Sequence, residues 1–125
     1  RPDTVWLHEI GTPVEDDTKL FYEPDERYWV GAGFTRSERY LIISLGSSIT
    51  SEEWLVDAAD LRSEPRVVWP RREGVEYDIS HAVVDGEDVL YILHNDGALD
   101  FELVRVSAAD PQGARHSVIP HRPGI

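Results

Sequence analysis

Apolar residues in this chain come in short runs, each closed by a cluster of Gly, Pro, Asn or Asp, a rhythm that predicts β-strands joined by turns. The clearest case is 76–106, EYDISHAVVDGEDVLYILHNDGALDFELVRV. Ile79, Val83 and Val84 lead into Asp85-Gly86, a second run over 89–93 rises to Asn95-Asp96-Gly97, and 101–106 returns. Turns of this composition supply the positive φ that tight hairpins need, so the stretch predicts a three-stranded antiparallel meander.

The remaining chain reads the same way. A strand with apolar residues at both parities, as a buried strand would have, is predicted over 5–10 (VWLHEI) and ends at Gly11-Thr12-Pro13. Glu15-Asp16-Asp17 reads as a solvated loop, and 19–23 (KLFYE) as a short strand closed by Pro24-Asp25-Glu26. The run 28–35 (YWVGAGFT) is a strand weakened by Gly31 and Gly33, which predict a bend or a close backbone approach. Adjacent Ile42 and Ile43, stiff at χ1, make 40–44 an unambiguous strand. Further strands are expected over 53–56, over 66–69 up to Pro70, and over 117–119 before an irregular tail. Ser51-Glu52-Glu53 carries a helix-start signal, a cap followed by acids.

An internal repeat decides that ambiguity. Trp6-Leu7 recurs as Trp54-Leu55 after 48 residues, the 40–43 run recurs at 89–92 after 49, and Arg66-Val67-Val68-Trp69-Pro70 resembles 116–120 after 50. The repeat places Ser51 at a strand start, with four strands per unit. A period near 50 is not a property of an immunoglobulin-like sandwich, whereas four-stranded units of this length are blades of a β-propeller. The predicted fold is therefore all-β: a fragment of a β-propeller with about two and a half four-stranded antiparallel blades. The expected division is 1–26 as the outer half of one blade, 27–73 as a second blade, 74–122 as a third, and 123–125 as a tail. The absence of Met and the turn-like start at Arg1-Pro2-Asp3 lead us to expect a segment excised from a longer protein. Fewer than four blades do not close a ring, so the end sheets are expected to expose apolar faces through which the fragment self-associates.

Charge narrows the partners. Twelve Lys and Arg against 24 Asp and Glu give a formal charge of −12, which repels phosphate backbones and argues against nucleic acid. The same surplus serves solubility or attracts cationic ligands. No apolar run approaches the ~20 residues that cross a bilayer, so no membrane partner is expected. Cys is absent, which excludes disulfides, a thiolate nucleophile and a Cys-based zinc site and is compatible with the cytoplasm.

Candidate chemistry is sparse. Gly46-Ser47-Ser48-Ile49-Thr50 lacks the second Gly of a nucleophile elbow, so no catalytic residue is assigned. His116 and His121 match no zinc spacing, and Asp85-Gly86-Glu87-Asp88 lacks the alternation of a calcium loop, so no metal is expected. Gly31 and Gly33 precede no helix and make no phosphate cradle, so no cofactor is expected. Adjacent acids such as Glu52-Glu53 point to opposite faces of a strand and form no catalytic pair. Trp6, Trp29, Trp54 and Trp69 recur near strands, where large rings between packed sheets are the common use. His94, just before a turn, is a candidate anchor for that loop.

Three segments, LFYEPDERYWVGAGFTRSERYLIIS (20–44), PRREGVEYDISH (70–81) and ILHNDGALDFELV (92–104), resemble the N-terminal propeller of the prolyl-oligopeptidase family, most closely its oligopeptidase B (protease II) branch. The resemblance covers nearly the whole chain, in the family's order and spacing. It implies a cytoplasmic serine peptidase whose propeller of about seven blades caps a C-terminal α/β-hydrolase domain. It also implies a gate that admits only short peptides, cleaved after Arg or Lys. The Ser, Asp and His triad of such enzymes lies in the hydrolase domain, outside this chain, so the fragment is expected to be inactive. Segments expected to meet that domain are Arg71, Arg72 and Glu73, and the turn containing His94, Asn95, Asp96 and Asp100. A different class of reading is a stand-alone binding module that self-assembles to complete a ring.

Overall fold

The structure is a computed structural model that describes residues 3–97 and 100–118. The expected tail 123–125, the end of the expected third blade, and His121 lie outside the described residues. Among the described residues ten strands run in chain order: β1 Thr4–Leu7, β2 Thr18–Tyr22, β3 Trp29–Phe34, β4 Tyr40–Gly46, β5 Ser51–Asp57, β6 Arg66–Val67, β7 Tyr77–Val84, β8 Glu87–His94, β9 Glu102–Ser107 and β10 His116–Ser117. They form a two-stranded sheet β1-β2 and two four-stranded meanders, β3-β4-β5-β6 and β7-β8-β9-β10, antiparallel throughout. The segments containing Tyr40 and Val89 lie in different sheets.

Strand alternation explains how the sheets stack. In β4, Leu41, Ile43 and Leu45 point to one face and, with Tyr28, Val30 and Val56, form a core that Val5, Leu20 and Phe21 of the first sheet close. Tyr40 and Ile42 point the other way, onto a second core of Leu55, Val68, Trp69, Tyr77, Leu90 and Ile92 shared with the third sheet. The middle sheet is therefore buried on both faces, and charged residues inside it need specific partners. The stacking recurs, since β5 packs against β7 as β1 packs against β3.

Turn chemistry fixes the register. Asp85 (φ 51°) and Gly86 (φ 79°) are both left-handed, the requirement of the tight hairpin that pairs Val84 with Glu87. The signal that could have been a helix at Ser51-Glu52-Glu53 is strand, paired with Gly46, Leu45 and Ser44.

Two expectations are corrected. The buried strand expected over 5–10 stops at Leu7, Trp6 is 57% exposed, and Ile10 stands fully in solvent. Its mixed parity came from a strand end running into a turn, not from burial on two sides. Gly31 and Gly33 sit at no close backbone approach, because a Cβ at either would meet nothing within 4 Å. Gly46 does meet a neighbour, since a Cβ there would touch the Trp29 ring at 3.4 Å, and so does Gly113, where a Cβ would run into the Asp110 carboxyl at 2.5 Å.

Candidate functional site

The strand registers give the sheets two ends. At one end lie the starts of β3 and β7, the β4–β5 and β8–β9 turns, and the linker from β6 to β7. This end carries the residues expected to meet the hydrolase domain, Arg71, Arg72, Glu73, His94, Asn95, Asp96 and Asp100. Arg71 is the best anchored of them. Its backbone N–H donates to Glu52 Oε2 at 2.6 Å, its guanidinium donates to Glu52 Oε1 at 3.0 Å and to Glu23, and its plane lies 4.1 Å from the Tyr28 ring centroid. Glu23 and Glu52 are both buried, so the Arg71 charge is what allows two carboxylates to sit between sheets. The Trp54 indole N–H donates to the same Glu52 oxygen at 2.9 Å.

A second cluster adjoins it. Asp96 accepts from Arg72 at 3.0 Å and Arg115 at 2.9 Å, and Arg115 holds its carboxyl below the usual carboxylate range. Arg115 also stacks 3.8 Å from the Trp69 ring. His94 is fully buried edge-on to Trp69; its Nδ1 accepts from the Asp96 amide at 2.9 Å, which fixes the unprotonated nitrogen. Glu102 approaches the other nitrogen at 3.3 Å without hydrogen-bond alignment, and burial lowers the His94 pKa. Asn95 ties the turn to the linker, accepting from the Glu76 amide at 2.8 Å and donating to the Gly74 carbonyl at 3.1 Å. Glu73 and Asp100 are exposed. The structure thus joins Arg72 with Asp96, and His94 with Asp96, while Arg71 belongs to a separate clamp.

Sequence reasoning missed two arrangements. The first surrounds Tyr77, whose buried hydroxyl accepts from the Glu53 and Trp69 amides at 2.8 and 3.1 Å and donates to the Trp69 carbonyl at 2.7 Å. It completes backbone pairing where β6 leaves β5. Beside it, Glu53 is 6% exposed and its Oε2 has no hydrogen-bond partner. Burial pushes its carboxyl up to about 8, against a lowering hydrogen bond from Ser44 and with a further rise from the charge of Asp78.

The second is at the opposite end. Ser37 Oγ lies 2.7 Å from His81 Nδ1, and His81 Nε2 lies 2.7 Å from Asp88 Oδ1, the residue order of a hydrolase triad. Its surroundings assign it to structure. Ser37 is exposed and already engaged by Thr35 Oγ1 at 2.8 Å and the Arg39 amide at 3.3 Å, and Arg39 shares the Asp88 charge at 3.1 Å. The network staples the β3–β4 turn to β7 and β8. No signal in one sequence could reveal it, since its members are 44 and 7 residues apart. No group of three or more His, Cys, Asp or Glu able to hold a metal occurs among the described residues.

Comparison with known proteins places this geometry. The model of the prolyl oligopeptidase N-terminal β-propeller domain matches residues 1–125. Protease 2 of Moraxella lacunata is 34% identical over 110 residues, covering 88% of this chain and 15% of that protein. Among solved structures, oligopeptidase B from Trypanosoma brucei, in a closed form with covalently bound antipain, superposes with a TM-score of 0.83 at 31% identity, covering 97% of this chain and 17% of that one. Oligopeptidase B from Leishmania major gives a TM-score of 0.84 at 25% identity, with coverage of 96% and 17%. The chain therefore spans about a sixth of the length of these relatives. Its repeated four-stranded sheets, stacked face to face and matched end to end by the family model, make it part of the N-terminal β-propeller of the prolyl oligopeptidase family.

Proposed function

We propose that these residues form a non-catalytic part of the gate of a serine oligopeptidase, one that admits short peptides and cleaves them after Arg or Lys. The observation that carries this reading is the superposition on oligopeptidase B over 97% of the chain. The net charge of −12 supports it, because an acidic gate concentrates cationic peptides. The end of the sheets that carries Arg72, Glu73, Asn95, Asp96 and Asp100 is the face we assign to the C-terminal hydrolase domain. Its loops are cross-braced by Arg72 to Asp96 and by Asn95 to the linker, which gives an interdomain contact a fixed shape.

The test is charge reversal at matched exposed positions in the full-length protein. Glu73→Lys, on the assigned face, should change kcat for an arginyl peptide by about threefold or more with an unchanged unfolding temperature, as expected of a contact that sets closure. Glu64→Lys, in the connection at the opposite end, should leave kcat as it is. Equal behaviour of the two variants removes the assigned face, and absence of arginyl-peptide hydrolysis by the unaltered protein removes the Arg/Lys specificity.

A further inference from the structure

The row Gly31, Ser44, Glu53 crosses three paired strands on the face of the middle sheet that looks toward the third. Gly31 contributes no side chain and has open space beside it, so the row ends beneath a gap. A cleft of about 340 Å³ opens over Ser44 and Glu53, at the end of the sheets carrying the linker, and is lined by them with Trp29, Glu76, Asp78 and Phe101 among others. That volume lies at the small end of ligand sites, about the size that admits one side chain and its backbone. Among the described residues no Lys, Arg or His lines it, while three carboxylates do. Trp29 and Phe101 are 56% and 47% exposed, and their rings stand at its walls.

The group that turns this acidic patch into a site is Glu53. A carboxylate buried to 94% leaves water, and it is normally paired or hydrogen-bonded when it does. Its Oε2 has no partner among the described residues. The chain itself shows what partner such an arrangement takes. On the other face of the same strand, Glu52 and Glu23 hold the Arg71 guanidinium against the Tyr28 ring, two carboxylates and one aromatic face around one cation. The cleft beside Glu53 repeats those components, with acids from two elements and an aromatic wall, without an Arg of its own.

We propose that this cleft binds the guanidinium or ammonium group of a basic peptide side chain, with Glu53 and Asp78 as its carboxylate partners and Trp29 as its aromatic wall. The inference rests on the reading of the chain as part of an oligopeptidase gate and adds a substrate-holding point to the gate itself. A basic residue away from the scissile bond would lodge here while the peptide is presented to the catalytic domain. Ser44 and Tyr77 keep the floor in place through their bonds to Glu53 and its backbone.

The experiment uses the full-length protein with its catalytic serine blocked by a covalent arginine-aldehyde inhibitor, so that the hydrolase-domain site is filled. Calorimetry at about pH 9, above the Glu53 value of about 8 so that its carboxyl is ionised, compares Ac-Ala-Arg-Ala-NH2 with the same peptide carrying citrulline, which keeps the shape and loses the charge. Binding of the arginine peptide alone is expected, weakened about tenfold by Glu53→Gln, the usual effect of neutralising one partner of a charged hydrogen bond. Asp78 is exposed, so Asp78→Asn leaves folding intact and should weaken binding by about threefold. No arginine-peptide binding, equal binding of the citrulline peptide, or unchanged affinity in Asp78→Asn overturns the site. If the inhibitor fails to label the protein, the peptidase reading falls separately, and the same titration on the unlabelled protein still decides the cleft.

Discussion

At the scale of single residues, the middle sheet hides two glutamates side by side and treats them differently. Glu52 faces Arg71 and is clamped by its backbone N–H and guanidinium; Glu53 faces the cleft and is raised to about 8 by its burial, with Ser44 and Asp78 as the other groups acting on it. A folded-state pKa above the unfolded one means that the native chain holds a proton that the unfolded chain has lost. Stability therefore falls as pH rises from about 4.5 to about 8 and levels above that window. Glu53→Gln removes this dependence, so its unfolding temperature relative to wild type should climb between pH 5 and pH 8. Parallel profiles for the two proteins over that range would show that Glu53 ionises normally. His94 acts in the opposite sense: its lowered pKa favours the native state above the ordinary histidine value and withdraws that support as pH falls. The two contributions oppose each other below the ordinary histidine value, so the difference between wild type and Glu53→Gln, in which the His94 part cancels, isolates the Glu53 effect.

At the scale of elements, local signals carried the strands and nonlocal ones carried the site. The pair Asp85-Gly86 and the alternation in β4 are written in adjacent residues, so the meander and the 48-to-50-residue period were legible from the chain alone. The burial of Glu52 and Glu53 was not, since alternation along a strand sends them to opposite faces without showing that a sheet covers each face. The same limit hid Ser37, His81 and Asp88, and it misled at Gly31, which stands beside open space and not at a crowded place. It also blurred the linker, where Arg71 and Arg72 look alike in sequence. Arg72 is exposed and pairs only across the surface, whereas Arg71 neutralises two buried carboxylates. Removing one member of such a group leaves the others charged and unpaired. Arg71→Ala should therefore cost about 3 kcal/mol in urea unfolding, with Arg71→Lys recovering part of it because an ammonium supplies the charge but neither the fork nor the stacking. Arg72→Ala should cost under about 1 kcal/mol. Equal losses for the two alanine variants would mean that the clamp contributes nothing beyond a surface ion pair.

At the scale of the whole molecule, the stacking that buries both faces of the middle sheet leaves one face of each flanking sheet uncovered among the described residues. On the first sheet that face presents Trp6 and Tyr22, 57% and 51% exposed. On the third, Leu93 is 41% exposed and pairs in register with Leu103, next to the pair Tyr91 and Arg105. The cores inside the molecule show what such faces accept, namely another sheet laid face to face. The two faces differ in sequence, so a contact between them is head-to-tail and propagates rather than closing as a symmetric pair. We expect the isolated chain to form a concentration-dependent series of oligomers in sedimentation velocity at tens of micromolar, the range in which exposed apolar faces drive association. Leu93→Lys, which places a charge at the centre of the third sheet's open face without entering either core, should shift that series toward monomer, as should Trp6→Lys on the first sheet. A single monomer peak for the unaltered chain across this range would show that these faces are sufficiently polar to stand alone.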